Sequence, residues 1–194
     1  MTTSGTEGLL IDAVMPTCDA TIAEHVIVAA DPARTFRAVR ALDLLTVRTP
    51  LLSASIWLRN LPAVLSGRAT PPVPRVVVGE GLGLPGWVLL GEREDREIVL
   101  GAVGRFWRPV IEWRDVAAEH FGGFDEPGWG KIAANFSVTP YGGNTLLSYQ
   151  CRTLTTDSVS RRQFRRYWLL TRPFVAHIMR ATVDAIKTDA EAPT

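Results

Sequence analysis

Cysteine and histidine are scarce in this chain, and their scarcity excludes several kinds of site. The 194 residues contain two cysteines and three histidines. Cys18 and Cys151 stand far apart, and there is no CxxC pair or Cys/His cluster. Because zinc sites need closely spaced ligands, the sequence predicts no metal site, and it indicates no cofactor. We expect both cysteines to be thiols in a reducing compartment.

Long apolar runs and an excess of one charge are also missing. The most apolar helical candidate, residues 51–65, is interrupted by Arg59 and Pro62 and is too short to span a bilayer. The first ten residues lack the features of a signal peptide. The formal net charge is only +1. We therefore expect a cytoplasmic protein, monomer or homodimer, that binds no nucleic acid and does not insert stably into a membrane.

The order of predicted elements is one strand, two short helices, a run of strands and one long helix. Residues 20–30 are rich in β-branched side chains, and Asp31 with Pro32 forms a strong helix start. A second helix is predicted at 51–65, about six strands between residues 75 and 156, and helical spacing from 157 onward. We expect a disordered tail at 1–8, a single domain at 9–190 and a C-terminal tail at 191–194.

A strand meander needs a cover on one face, and one long amphipathic helix can provide it. The order therefore favours an α+β helix-grip fold, in which a curved antiparallel sheet wraps the C-terminal helix and leaves a cavity between them. An α+β sandwich with a solid core contains the same elements and remains an alternative. Gly101 and Gly104 fall in one predicted strand, where glycine permits a bend or a close approach.

The C-terminal helix carries one apolar stripe and one basic face. The stripe follows steps of four and three and consists of Phe164, Trp168, Thr171, Val175, Ile178 and Thr182. The arginines fall mainly outside the stripe, at positions 161, 162, 165, 166 and 172. They can be interpreted as a phosphate-binding patch or as a solvated face, and the near-neutral overall charge favours the solvated face. Pro173 is expected to kink the helix.

Three ionisable residues are candidates for acid–base chemistry. Glu24 and His25 are adjacent on a predicted strand, so they point to opposite faces of the sheet. The one that faces inward needs a partner or a ligand, and the sequence leaves open which one it is. His177 lies on the flank of the helix stripe. It is either a half-buried structural histidine or an acid, a base or a ligand donor.

Aromatic and polar side chains at the predicted sheet–helix boundary are candidates for lining a ligand cavity. The chain has six tryptophans, which is many for this length. Core packing would account for each of them, but a cavity would be lined by the same side chains. The candidate lining residues are Trp107, Asn135, Tyr149, Phe164, Trp168 and His177, with Arg105 as a polar anchor.

Several motifs resemble the START/Bet v 1-like (SRPBCC) superfamily. The stretch VAADPARTF resembles its first-strand-to-helix signature. The stretches EIVLGAVGRFWRP, FDEPGWGKIAANFSV and CRTLTTDSVSRRQFRRYW resemble, more narrowly, an uncharacterised bacterial group within it. The resemblance implies a helix-grip fold with a hydrophobic cavity for lipids, polyketides or related small molecules. Some members of the superfamily are polyketide cyclases or aromatases, whereas many only bind.

Three hypotheses about function follow. The first is a protein that binds a hydrophobic small molecule under the C-terminal helix. The second is a cyclase or aromatase that uses the same cavity, in which Glu24 or His25 acts with His177 to move protons. The third is an interaction partner without a ligand, such as a toxin component or a chaperone cofactor.

Overall fold

The computed structural model of this chain describes residues 8–44 and 77–193. Within these ranges the helices are α1 (Leu10–Val14), α2 (Pro32–Ala41), α3 (Ala118–Phe121) and α4 (Ser158–Glu191). The strands are β1 (Ala20–Val28), β2 (Trp87–Arg93), β3 (Glu97–Arg105), β4 (Glu112–Arg114), β5 (Gly130–Tyr141) and β6 (Asn144–Thr155). The predicted helix at 51–65 lies outside the described residues.

The strands form one curved antiparallel sheet against which the C-terminal helix packs. Their order is β1-β6-β5-β3-β2, and the short strand β4 pairs with β3. Helix α4 packs on β1 and β6 and also contacts α2. This arrangement confirms the predicted α+β helix-grip fold. Glycine in β3 allows a neighbouring side chain to approach the backbone closely. A Cβ on Gly101 would come within 2.4 Å of Leu90 Cδ1.

Helix α4 is fixed at its N-terminus by Asp157. One carboxylate oxygen of Asp157 accepts hydrogen bonds from the backbone N–H groups of Val159 and Ser160, at 2.8 and 2.9 Å. Its other oxygen accepts from the Ser160 hydroxyl and from the Gly128 N–H. These hydrogen bonds, chiefly the one from the Ser160 hydroxyl, hold the pKa of Asp157 well below its usual range. The helix then runs without a break through Pro173 to Glu191.

The helix start at residues 31–32 is confirmed, whereas the first of the strands predicted from residue 75 onward is not confirmed in its described part. Asp31 caps α2 by accepting from the Arg34 N–H at 2.8 Å. In the described part of the predicted strand, Val77 makes only an isolated bridge to Asp43, and Val78–Glu80 is a single 3-10 turn. A positive φ of 75° at Gly81 ends that turn.

The two faces of the sheet bury separate clusters of apolar side chains. The face toward α4, called the inner face here, packs against α2 and the last turns of α4 through a cluster that includes Phe36, Ile98, Phe136 and Ile186. The opposite face, called the outer face, is covered by α1 and α3. Its cluster includes Ile11, Val99, Phe121 and Ala133. Adjacent residues of one strand therefore enter different environments.

Candidate ligand-binding site

The apolar stripe of α4 is tightly packed at its ends and loosely packed in its middle. Phe164 and Thr182, which end the stripe, are 2% and 1% exposed. Between them, four residues of the same stripe are only half-buried: Trp168, Thr171, Val175 and Ile178. The predicted stripe thus faces the sheet, but its residues from Trp168 to Ile178 keep part of their surface uncovered.

The inner face of β6 shows the same pattern on the other side of that space. Thr145 and Leu147 at one end, and Thr153 and Thr155 at the other, are buried. The two inward residues between them, Tyr149 and Cys151, are half-buried. Ile132 on the neighbouring strand β5 is half-buried as well. A fully packed interface would bury the centre of each element more deeply than its ends.

Tyr149 and Cys151 nevertheless lie deep in the protein. Burial raises the pKa of the Cys151 thiol to about 12, and it also raises the pKa of Tyr149 above its ordinary value. The Tyr149 ring stacks on Phe136, with ring centroids 4.2 Å apart. Tyr149 and Cys151 are therefore inward-facing side chains that their neighbours do not cover completely.

Three open grooves run along the rims of the sheet–helix interface. One, of about 470 Å³, is bordered by Trp168 and the first residues of β1. A second, of about 500 Å³, follows β1 to Glu24 and is closed on the helix side by Arg172, Pro173 and Ala176. The third, of about 520 Å³, lies at the opposite rim, between Trp107 and Leu170. The half-buried middle of α4 is therefore bordered by open grooves on two sides, along β1 and beside Trp107.

Aromatic rings close the end of the interface at the N-terminus of α4. Phe164 meets Phe106 edge to face at 6.0 Å and is stacked with Trp168 at 5.8 Å. Trp107 meets Phe106 edge to face at 5.3 Å. The structure thus brings Phe164, Trp168 and Trp107 into one aromatic cluster, with Tyr149 on the sheet farther along the inner face.

Two of the predicted lining residues lie on the outer face of the sheet. Asn135 donates from Nδ2 to Glu97 Oε1 at 2.6 Å, and both are buried. Arg105 bonds to Glu112 at 2.9 Å and to the Gly128 carbonyl, and its guanidinium lies 4.3 Å from the Trp129 ring centroid. The sheet separates both side chains from α4, because their strand positions alternate with those of Phe136 and Phe106.

The three candidates for acid–base chemistry lie on three different surfaces. Glu24 faces α4 and is paired with Arg180 at 3.1 Å. His25 is exposed on the outer face, where its Nδ1 lies 2.8 Å from the Ser148 hydroxyl. His177 is exposed on α4. The structure therefore answers the question left open by the sequence, since Glu24 is the residue that faces inward. It does not bring the three residues together.

Sequence reasoning missed the residues that mark the loosely packed centre. Cys151 reads as a small buried side chain, and Ile132 as ordinary core. The available signal was strand register, because Cys151 pairs with Ala134 on one side and Ile22 on the other, all facing the middle of the helix stripe.

Cys18 is exposed, and both cysteines are free thiols. Across residues 8–44 and 77–193, no group of three ligand-type side chains is arranged to hold a metal.

Comparisons with known proteins found similar solved structures. No family model matches it, and no curated protein sequence matches it. Among solved structures, the Mll3558 protein from Rhizobium loti is 14% identical, with a TM-score of 0.38 over 86% of this chain and 96% of that one. Protein Ms6760 from Mycobacterium smegmatis is 12% identical, with a TM-score of 0.40 over 90% and 92%. Ara h 8.0201 is 12% identical, with a TM-score of 0.36 over 86% and 97%.

Similarity at this level carries no argument about function. The class of this protein, an α+β helix-grip fold, rests on its own strand order and C-terminal helix. No helix in the described parts of the chain is both long and apolar enough to cross a bilayer.

Proposed function

We propose that this protein binds a hydrophobic small molecule, such as a lipid or a polyketide, between the inner face of the sheet and the middle of α4. The observation that carries the proposal is the matched gap in packing. The apolar stripe of α4 and the inward residues of β6 are both buried at their ends and half-buried at their centres, where Trp168 and Val175 lie on one side and Tyr149 and Cys151 on the other. An apolar ligand fills such a space by displacing poorly hydrogen-bonded water.

The chemistry of this space favours an apolar ligand, or the apolar part of one whose charged group stays at the rim. Its side chains are aromatic, aliphatic or neutral polar, and burial keeps Tyr149 and Cys151 uncharged. The Tyr149 hydroxyl and the Thr171 hydroxyl are the polar groups on its two sides. Thr171 Oγ1 already donates to the Tyr167 carbonyl at 3.0 Å. Tyr149 is therefore the group that we assign to orienting a polar end of the ligand.

The cyclase or aromatase hypothesis receives no such support. Its proton-transfer residues would have to converge on one substrate. Glu24 is bonded to Arg180, His25 lies on the other face of the sheet, and His177 is exposed. We therefore propose binding without turnover, in a single domain that spans residues 9–190.

Filling the space tests the proposal. A Cys151→Trp variant places a large ring between the sheet and α4, whereas Cys18→Trp adds the same ring at an exposed position. Binding of a fluorescent fatty acid such as cis-parinaric acid should weaken at least about tenfold in Cys151→Trp and stay unchanged in Cys18→Trp. Equal affinity in wild type and both variants would exclude the inner face as the binding site.

Protection of the Cys151 thiol gives a second test that does not require the large substitution to fold. In a Cys18→Ser background, iodoacetamide should label Cys151 slowly, and cis-parinaric acid should slow the labelling further, because the ligand occupies the space next to the thiol. Native mass spectrometry of protein from its own host should also show a retained lipophilic mass. Labelling that is insensitive to the fatty acid would contradict the proposal.

A further inference from the structure

The outward side of α4, in its N-terminal half, exposes large apolar side chains where a soluble helix normally shows polar ones. Leu169 and Leu170 are 79% and 75% exposed, and Phe174 is 48% exposed. Pro173 lies on the same side and is exposed as well. The loop after β3 adds Val110, which is 79% exposed. These residues are not needed to cover the sheet, because the buried stripe of α4 already does so.

Arginines surround this apolar turn on the helix surface. Arg165 and Arg166 lie one turn before the two leucines, Arg162 lies two turns before them, and Arg172 lies just after them. Helical spacing places Arg166, Leu170 and Phe174 in one row, and Arg165, Leu169 and Arg172 in the neighbouring row. We call the segment from Arg162 to Phe174, seen from the solvent side, the basic–apolar face.

The charge of the basic–apolar face is not neutralised within the described part of the chain. The arginines at positions 162, 165, 166 and 172 have no carboxylate within ion-pair distance there. Asp19, which borders the same groove as Arg165 and Arg172, is already paired with Arg161 at 2.6 Å. No Asp or Glu occurs between Ser158 and Val183 in the sequence. The face therefore carries local positive charge although the whole chain has a net charge of only +1.

We propose that the basic–apolar face docks on the surface of an anionic lipid bilayer. Exposed leucines and a phenylalanine enter the headgroup boundary, and the flanking guanidinium groups contact lipid phosphates. Charge complementarity selects this partner, because an unneutralised cluster of arginines next to apolar side chains matches an anionic interface. The proposal does not depend on whether the inner face holds a ligand. It concerns reversible docking and not insertion.

The experiment is co-sedimentation of the full chain with vesicles. We expect binding to phosphatidylcholine vesicles that contain anionic phosphatidylglycerol, weak binding to phosphatidylcholine alone, and loss of binding when salt is raised so that the Debye length falls to about 3 Å. Each arginine near an anionic surface contributes about a fivefold factor in affinity, so Arg166→Glu should weaken binding at least about tenfold. Leu170→Ser should weaken it as well.

Two matched controls keep the test specific. Arg37→Glu makes the same charge change on an exposed position of α2, and Tyr141→Ser removes a 57% exposed ring at the far end of β5. Both should bind like the wild type. The proposal is overturned by equal binding to neutral and anionic vesicles, by no binding to either, or by controls that lose as much as Arg166→Glu and Leu170→Ser. A dimer that Leu170→Ser dissociates, without vesicle binding, would assign the face to a second copy of the chain instead.

Discussion

The outer face of the sheet holds its polar groups inside the packing, whereas the inner face keeps its charged groups at the rim. On the outer face, Glu97 is fully buried and accepts hydrogen bonds from the backbone N–H groups of Leu10 and Ile11 and from Asn135 Nδ2. On the inner face, the ion pair of Glu24 and Arg180 has an arginine side chain that is 64% exposed. The same sheet thus supports two kinds of interface.

Lys131 is another polar side chain that is buried on the outer face. The Lys131 ammonium group donates to the carbonyls of Phe121 and Gly122, at 3.2 and 2.9 Å, and so holds the end of α3. Desolvation lowers its pKa, with a partly opposing effect from Asp125. Buried polar groups with specific partners tolerate little rearrangement. This face therefore serves as the rigid support, and the loosely packed inner face is the one that can accommodate a ligand.

The largest effect is expected from removing the buried carboxylate of the outer face. Glu97→Ala leaves the N-terminus of α1 and the Asn135 amide without their acceptor. We expect it to lower the free energy of unfolding by about 3 kcal/mol. Glu112→Ala removes a half-exposed carboxylate that pairs with Arg105 and Arg108, and it should cost much less because solvent screens these ion pairs. Urea unfolding measures the loss of stability in each variant. Equal losses would show that the buried carboxylate contributes no more to stability than the surface one.

A second contrast places the same larger side chain, leucine, on each face. Ala133→Leu overpacks the outer cluster, where Ala133 is fully buried, and should lower stability by about 2 kcal/mol. Cys151→Leu adds volume at the half-buried centre of the inner face. It should change stability by less than about 1 kcal/mol, because the added atoms enter space that is not filled. Similar losses in the two variants, measured by urea unfolding, would show that the inner face is as closely packed as the outer one.

The fold followed from the sequence much further than the site did. Asp31–Pro32 and the stripe from Phe164 to Thr182 predicted two helices and the side of α4 that faces the sheet, because caps and periodicity are local signals. The face on which a strand residue lies depends on register. Period-2 alternation separates the two faces of a strand but does not tell which face lies toward α4. For this reason Asn135 and Arg105 were predicted to line the cavity, whereas they lie on the outer face. Helices as short as α1 and α3 leave no periodic signal, and Glu97, which holds α1, lies 86 residues from Ile11 in the chain.

Alkaline pH should lower the free energy of unfolding, because it ionises the Cys151 thiol on the inner face. Because the pKa of its thiol in the folded protein, about 12, lies above that of an unfolded thiol, the contribution of the neutral thiol to stability is complete below about pH 8.5 and declines as the pH rises toward 12. Between about pH 8 and pH 10, wild type should lose about 2 kcal/mol more than Cys151→Ala.

The measurement is urea unfolding of both proteins at the two pH values. Cys18→Ala, which removes an exposed thiol, is the matched control and should leave the pH dependence of the wild type in place. Parallel curves for wild type and Cys151→Ala would mean that the thiol ionises as freely in the folded protein as in the unfolded one. The space next to it would then be open to bulk water, and the inner face would not be a dry binding site.

The smallest effect is expected at the rim of the inner face, where Glu24 and Arg180 pair. Glu24→Gln keeps the shape of the side chain and removes its charge. Since the arginine is largely exposed, the variant should lose less than about 0.5 kcal/mol of stability, and about 0.5 M salt should remove most of the difference. Binding of cis-parinaric acid should stay within about twofold of wild type, because the pair borders the groove and not the central space. A loss of binding as large as that expected for Cys151→Trp would instead make Glu24 part of the site and extend the ligand-binding surface to the edge strand.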